Sequence, residues 1–209
     1  MYIPDDFAEN RLDVLHSLIT EHPFGVLFTH GSNGLNANHL PFELQENEGE
    51  FGMLDAHVSR NNSVWQDIKN GDEVLVVFQA GDAYISPNWY PSKQQHHQHV
   101  PTWNYQVVHV KGTITFLSDE KALRGILAKL TRTHETKQVT PWKMSDAPSE
   151  YIAQELQGIV GIEIQISHIT GKFKLSQNRD KIDALGVIDG LQQQGNHCLA
   201  NTVEQYIED

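Results

Sequence analysis

A stretch of twenty residues, SPNWYPSKQQHHQHVPTWNY at 86–105, carries the densest set of side chains able to bind a metal ion or a flat ligand. Its histidines, His96, His97 and His99, offer imidazoles at the spacing of a loose transition-metal site. The loop has no cysteine and its nearest acid is Asp82, so four-coordinate zinc would need ligands from remote parts of the chain. We predict no dedicated metal site and keep these histidines as weak candidates in a solvated loop.

The same stretch is rich in aromatic residues, and three prolines restrict its backbone. Its large rings are Trp89, Tyr90, Trp103 and Tyr105. Proline fixes the backbone torsion φ, and flat side chains supply broad contact area. On these residues alone, packing inside the protein is favoured over stacking on a flat ligand, although both interpretations stay open.

Positive charge is scarce in the first half of the chain. Before position 111 the only basic residues are Arg11, Arg60, Lys69 and Lys93. Arg60 lies in HVSRNN, which offers five candidate binding residues, His57, Ser59, Arg60, Asn61 and Asn62. An arginine fork beside amide and hydroxyl groups suits a phosphate, and a surface salt bridge explains Arg60 equally well.

A second concentration of positive charge lies in the C-terminal part. Lys172, Lys174, Arg179 and Lys181 fall within ten residues. The segment suits an anion, and a solvated hairpin end followed by a helix start is the alternative interpretation.

Composition and motifs exclude several functions. The chain has 209 residues, 27 acidic against 15 basic, and a net charge of −12, which repels phosphate backbones, so direct DNA binding is not expected. There is no G-x-S-x-G, Walker A or G-x-G-x-x-G motif, and HETKQ at 134–138 lacks the second histidine of H-E-x-x-H. No residue stands out as catalytic, and the sequence leaves open whether the protein is an enzyme.

The residue pattern also indicates where the protein works. A single cysteine, Cys198, cannot form an internal disulfide, and the first residues lack the basic and apolar regions of a signal peptide. No apolar run approaches the ~20 residues of a membrane span. We predict a cytoplasmic protein.

Hydrophobic periodicity predicts more strands than helices. Helical spacing appears after Asn10 and again from Asp119 to His134, while clean alternation over 108–116 predicts a long strand. The runs 73–79 and 83–86 are expected to form a strand pair. Further strands are predicted over 24–30, 38–44, 51–58 and 159–169, a short helix over 63–71, a polar connection over 135–148, and two short C-terminal helical stretches interrupted by Gly186 and Gly195. This order favours a mainly β, antiparallel barrel with peripheral helices over a doubly wound sheet.

Read together, several long motifs resemble the PaiB-type, FMN-binding negative transcriptional regulator family. They are MYIP at the start, HLP at 39–41, HVSRNN at 57–62, AYISPNWYPSK at 83–93, VPTWNYQVVHVKG at 100–112, LTRTHE at 130–135 and GIEIQISHITGKFKLSQN at 161–178. The resemblance covers nearly the whole chain.

The resemblance implies an antiparallel split β-barrel of the FMN-binding type with added helices. It implies one domain over 1–209 with a helical C-terminal extension at about 178–209, and a homodimer with the flavin at the subunit interface. Arg60, Asn61, Asn62 and Lys93 would hold the phosphate, and Trp103, Asn104 and Tyr105 would border the ring or ribityl chain. The remaining candidate cofactor-binding residues are His57, Ser59, Lys172, Lys174, Ser176 and Gln177.

The scarcity of cations suggests how one phosphate would be bound. Lys172 and Lys174 of one subunit would approach Arg60 of the other. The role implied is regulatory or redox-sensing, with regulation acting through a partner protein or a metabolite.

Two alternatives stay open at this stage. A split-barrel flavin oxidoreductase would use the same residues, with the substrate beside the ring. A haem or metal binder of the same fold would draw on the histidines of the 96–99 loop or on His109.

Overall fold

The computed structural model describes residues 1–208 of the chain. Its central feature is an eight-stranded sheet with the order β3-β2-β6-β7-β8-β5-β4, in which β1 also pairs with β8. The β1–β8, β2–β3, β2–β6, β4–β5 and β5–β8 pairs are antiparallel.

Over residues 1–208 the strands are β1 (Ala8–Glu9), β2 (Phe24–Gly31), β3 (Gly34–Pro41), β4 (Glu43–Gln45), β5 (Met53–Ser59), β6 (Glu73–Ile85), β7 (Thr102–Leu117) and β8 (Ile159–Lys174). The α-helices of the same range are α1 (Leu12–Glu21), α2 (Val64–Asp67), α3 (Lys93–His96), α4 (Glu120–Glu135), α5 (Ser149–Gln157), α6 (Lys181–Gln193) and α7 (His197–Glu208). The predicted antiparallel, mainly β architecture with peripheral helices is therefore observed. No helix within residues 1–208 is long and apolar enough to cross a membrane.

The chain divides into two compact units, each built from separate stretches of sequence. Unit 1 comprises Met1–Leu15, Gln79–Val108 and the chain from Thr170 onward, and unit 2 comprises His16–Phe78 and His109–Ile169.

Unit 2 contains strands β2 to β5 and helices α4 and α5. Its core is formed by inward-facing strand residues, among them Leu27, Phe42, Leu54, Phe78 and Ile162. The rings of Phe42 and Phe78 meet edge to face with centroids 5.6 Å apart. A smaller apolar cluster of Leu123, Ile152 and Leu156 joins α4 to α5. Helix α4 begins where predicted, because the Asp119 side chain accepts a hydrogen bond from the backbone N–H of Ala122 at 3.0 Å.

Unit 1 contains β1, the loop that precedes β7, and helices α6 and α7. Its buried side chains include Tyr90, Phe173, Leu175, Leu191 and Val203. The end of the chain is held to its beginning by an ionic cluster. In it Glu9 accepts hydrogen bonds from Tyr206 at 2.6 Å and from Arg11 at 2.8 Å.

The predicted strand pair over 73–79 and 83–86 is wrong, because β6 is one strand from Glu73 to Ile85. Val74, Val76 and Phe78 are buried on alternate positions, and the next fully buried position is Ile85, so the buried face changes parity between them. Gly81 lies in the interval, and a glycine inside a strand permits such a change without ending the strand.

Helix α5 was not predicted. The predicted polar connection over 135–148 was followed directly by the strand predicted from 159. The helix follows Pro148 and buries Ile152 and Leu156. These two residues are four apart, and that spacing was the available signal.

Gly186 does not interrupt the C-terminal helices as predicted, because α6 continues through it. A Cβ at Gly186 would lie 2.0 Å from the carbonyl oxygen of Trp89, and a Cβ at Gly190 would lie 2.3 Å from the Trp89 ring. These glycines therefore allow α6 to approach Trp89 closely. The second predicted interruption is correct, since Gly195 lies between α6 and α7 with a φ of +77°.

We expect Gly186→Ala to destabilise the protein by about 1–3 kcal/mol, because the obstructing atom belongs to the backbone of Trp89 and cannot rotate away. The matched control is Gly125→Ala in α4, where an added Cβ meets nothing within 4 Å. Alanine is the better helix former, so this control should gain roughly 0.5–1 kcal/mol. Urea unfolding of both variants is the measurement, and equal shifts of the same sign would contradict the packing argument.

Candidate functional site

Unit 1 places a lysine without a counter-charge beside the aromatic segment. The Lys174 ammonium donates hydrogen bonds to Thr102 Oγ1 at 2.5 Å and to the carbonyl of Trp103 at 2.7 Å. It also lies 5.6 Å from the centroid of the Phe7 ring. In the described chain Lys174 forms no salt bridge.

The environment of Lys174 disfavours its charged form. Burial, together with the positive charges of Arg179 and Lys172, lowers the pKa of Lys174 to about 8. A negative group near the ammonium would oppose this effect, and an anionic ligand could supply it.

Lys172 lies among aromatic rings. Its ammonium is 5.5 Å from the ring centroid of Tyr105 and 5.7 Å from that of Tyr2, within the range of cation–π attraction. Like Lys174, it has no acidic partner within residues 1–208. Two uncompensated lysines therefore lie in one unit of a strongly acidic chain.

The same unit exposes flat apolar surface. The Trp103 side chain is 53% exposed and Tyr84 is 46% exposed, and their rings meet edge to face with centroids 6.0 Å apart. The two rings in contact form a small exposed apolar patch, and such patches are candidate sites for a ligand or a partner.

A buried polar pair begins at Asn104, the residue after Trp103. Asn104 is fully buried, and its side-chain N–H donates to Ser176 Oγ at 2.9 Å. Ser176 adopts a positive φ of 70°, which is strained for a residue with a side chain. Gln177 donates to the carbonyl of Phe173 and accepts from the backbone N–H of Leu175, so the turn after β8 is held from both sides.

The histidines of the 96–99 loop have different surroundings. His96 and His97 are exposed. His99 Nε2 lies 2.6 Å from Ser92 Oγ, and Ser92 Oγ donates to Asp183 at 2.6 Å. Lys93, a predicted phosphate contact, donates to Asn88 Oδ1.

The described residues hold no group of three or more His, Cys, Asp or Glu side chains arranged to bind a metal ion. Of the three histidines, His99 contacts Ser92, and Ser92 in turn contacts Asp183. The three imidazoles do not form a metal-binding group.

Arg60, in unit 2, is engaged by the protein itself. Its Nε donates to the carbonyl of Gln157 at 2.6 Å and its Nη2 to the carbonyl of Ile159 at 2.8 Å. Its backbone N–H donates to the carbonyl of Gly158 at 2.8 Å. The guanidinium therefore satisfies carbonyls at the C-terminal end of α5, a role that spacing along the sequence did not reveal.

The neighbours of Arg60 divide between structural and exposed positions. Asn62 donates to Asn38 at 2.7 Å and accepts from the backbone N–H of Val64, so it holds the start of α2. Ser59 and Asn61 are exposed. His57 lines a cavity beneath α4 and α5, and its Nδ1 is buried without a hydrogen-bond partner.

The structure thus groups the predicted residues by unit. In unit 1 it brings together Trp103, Asn104, Tyr105, Lys172, Lys174, Ser176 and Gln177. Tyr2, Tyr84 and Thr102 also contact residues of this cluster and were not predicted. Tyr84 lies in the predicted strand over 83–86, and its place in the alternating pattern of that strand was the available signal. No local pattern indicated Tyr2 or Thr102.

The unit 1 cluster fits a ligand that combines a flat ring with an anionic end. Exposed aromatic surface suits the ring, and the uncompensated Lys172 and Lys174 suit a phosphate. FMN has both parts. Arg60 fits less well, because two of its donors are already used on carbonyls.

Comparison with known proteins decides the family. Residues 1–168 match the family model described as "Putative FMN-binding domain". The chain belongs to this family. The family predicted from the motifs is therefore confirmed, and the matched range ends before the Lys172–Gln177 segment.

Relatives of the FMN-binding domain family extend the similarity. Protease synthase and sporulation protein PAI 2 of Bacillus subtilis (strain 168) is 31% identical over 196 residues, covering 94% of this chain and 91% of the relative. Among solved structures, the FAD and heme binding protein from Mycobacterium smegmatis has a TM-score of 0.58 at 16% identity, over 80% of this chain and 73% of that chain. A conserved hypothetical protein from Mycobacterium tuberculosis has a TM-score of 0.59 at 11% identity, over 86% and 94%. The predicted fold class, a mainly β split barrel of this family with added helices, is confirmed.

Arg60→Ala should destabilise the protein by about 1–3 kcal/mol in the absence of any ligand, because it leaves carbonyls at the end of α5 without donors. Arg124→Ala is the matched control, since Arg124 forms only an exposed pair with Glu120 in α4 and should change stability by less than about 0.5 kcal/mol. Urea unfolding compares the two. If Arg60→Ala were as stable as wild type, the guanidinium of the wild-type protein would not be needed for the fold and could bind an external ligand.

The low pKa of Lys174 predicts a pH dependence of stability. Between a folded pKa of about 8 and the usual 10.5, the unfolded chain binds a proton that the folded chain has released. The free energy of unfolding should therefore rise with pH across this window. This added stability should be lost again as the pH falls through about 8. Lys174→Met should flatten the rise, while the exposed Lys111→Met in β7 should preserve it. Urea midpoints against pH test this, and parallel profiles for wild type and Lys174→Met would refute it.

Proposed function

We propose that the protein binds FMN through the unit 1 cluster and acts as a homodimeric regulatory or redox-sensing protein. The observation that carries the proposal is the pair of lysines without counter-charges beside the exposed Trp103, in a chain of the FMN-binding domain family. Bound FMN would supply reversible one- or two-electron redox chemistry.

Each residue of the cluster has a distinct part in this proposal. Lys172 and Lys174 hold the phosphate, whose negative charge opposes the burial and the neighbouring positive charges that lower the pKa of Lys174. Trp103 and Tyr105 provide apolar surface for the ring. Asn104 and Ser176 are already paired with each other and buried, so they position the backbone on either side of the site.

Exposed apolar side chains support the dimer. In unit 1, Tyr2, Val100 and Trp103 are 81%, 69% and 53% exposed, and contact with a second copy of the chain would remove such apolar side chains from water. A flavin at the subunit interface would be covered by the second copy.

The regulatory role rests on relationship and on charge. The relative PAI 2 is named for protease synthesis and sporulation. With a net charge of −12, we propose that this chain regulates through a partner or a metabolite in the cytoplasm, without direct contact to DNA. Steady turnover of a reduced nicotinamide by the flavin-loaded protein would instead indicate a flavin oxidoreductase.

The decisive experiment compares FMN with riboflavin, which has the same ring and ribityl chain but no phosphate. Wild type should bind FMN at least about tenfold more tightly, because charge-assisted hydrogen bonds contribute about 1.5–3 kcal/mol each. The Lys172→Met/Lys174→Met variant should lose this preference and still bind riboflavin, while Lys111→Met should behave as wild type.

Binding is measured by the change in flavin fluorescence on titration, and retention by flavin absorbance after desalting. Sedimentation velocity on the same samples should show a dimer when FMN is retained. Equal affinity of wild type for both flavins, or an unchanged preference in the double variant, would refute phosphate binding by these lysines.

A further inference from the structure

Unit 2 contains a cavity that the proposed flavin site does not use. It lies beneath α4, α5 and the segment between them, and has a volume of about 290 Å³. Six of its lining residues are His57, Thr131, Trp142, Met144, Ile152 and Glu155. Most of this wall is apolar, and the volume is at the small end of the ~300–1,000 Å³ found for ligand pockets.

Trp142 forms one side of this cavity and is 42% exposed. Its backbone N–H donates to Glu135 at 2.8 Å, so the segment after α4 is held back against the helix. A neighbouring hollow of about 350 Å³ shares Thr131, Trp142 and Met144 with the first. Movement of the indole would therefore extend the cavity, and the ring offers a flat surface to whatever enters.

His57 supplies a polar group within the apolar wall. Its Nδ1 is buried and has no hydrogen-bond partner within residues 1–208. Burial lowers the pKa of His57, which keeps the imidazole neutral near physiological pH. A neutral imidazole presents one N–H and one lone pair, and whichever of these lies on Nδ1 is unused within the protein.

Charge at the opening restricts what the cavity accepts. Glu155 lines it and is exposed, and the whole chain is strongly acidic. A carboxylate at the rim repels anions, so a phosphate-bearing molecule such as FMN is disfavoured here.

We propose that this cavity is a separate binding site for a neutral nitrogen heterocycle of one or two fused rings. The ring packs against Trp142 and the aliphatic wall, and a ring nitrogen exchanges a hydrogen bond with His57. Unused hydrogen-bonding capacity in an apolar cavity of this size is the observation that carries the inference. The site makes no use of Lys172 or Lys174, so it stands independently of the proposed flavin function.

Benzimidazole and indene, titrated calorimetrically into the full-length protein at neutral pH, test the proposal. The two molecules have nearly the same two-ring shape, but only benzimidazole carries nitrogen, as both donor and acceptor. Wild type should bind benzimidazole about tenfold more tightly than indene, the effect of one hydrogen bond to a buried group. His57→Leu should abolish this preference while leaving indene affinity within a factor of about two.

Three controls make the result specific. His168→Leu changes an exposed histidine of β8 and should retain the wild-type preference. Thr131→Trp fills the cavity and should abolish binding of both probes. Saturating FMN should leave benzimidazole affinity unchanged, and circular dichroism establishes that each variant is folded.

The proposal is overturned if wild type binds neither probe, binds both equally, or keeps its preference in His57→Leu. Competition between FMN and benzimidazole would assign the cavity to the flavin and would also overturn it. Should His57→Leu fail to fold, the wild-type preference together with Thr131→Trp and the FMN competition decides the question.

Discussion

Uncompensated positive charge is the constraint on which the candidate site depends. Lys174 keeps its ammonium half-buried between Lys172 and Arg179, with only the oxygens of Thr102 and Trp103 as acceptors. The second of these hydrogen bonds holds the lysine against the backbone of Trp103, the residue that carries the exposed indole. Several other cations have partners inside the protein: Arg11 pairs with Glu9, Lys129 with Asp55, and Arg60 donates to carbonyls. Lys172 and Lys174 form no salt bridge within residues 1–208 and lie beside the aromatic side chains.

The sequence predicted those parts of the fold that local chemistry determines. Alternation identified β7 and the strand that became β8, and Asp119 marked the start of α4. The predicted strand pair over 73–79 and 83–86 was wrong, since Gly81 lies inside the continuous strand β6. The predicted interruption at Gly186 was also wrong, since the need for a small residue there comes from Trp89, almost a hundred positions earlier. Such contacts between distant segments leave no periodic signal in the chain.

The same limit applies to the candidate site. The aromatic and basic segments were recognisable as unusual, and the structure brings several of their residues together in unit 1. The structural role of Arg60 was not recognisable, because the carbonyls that accept its hydrogen bonds belong to the end of α5 and the start of β8, nearly a hundred residues away. Spacing identifies a side chain that can bind phosphate, but only the fold shows whether its donors are already used.

The two glycines of α6 have a consequence for how unit 1 assembles. Each costs the isolated helix about 1 kcal/mol relative to alanine, so the segment has little tendency to become helical by itself. The groove that they leave is filled by Trp89, which means that helix formation and docking of the aromatic loop reinforce one another. We therefore expect helix α6 and residues 86–91 to form one cooperative folding unit, whose parts open and close together.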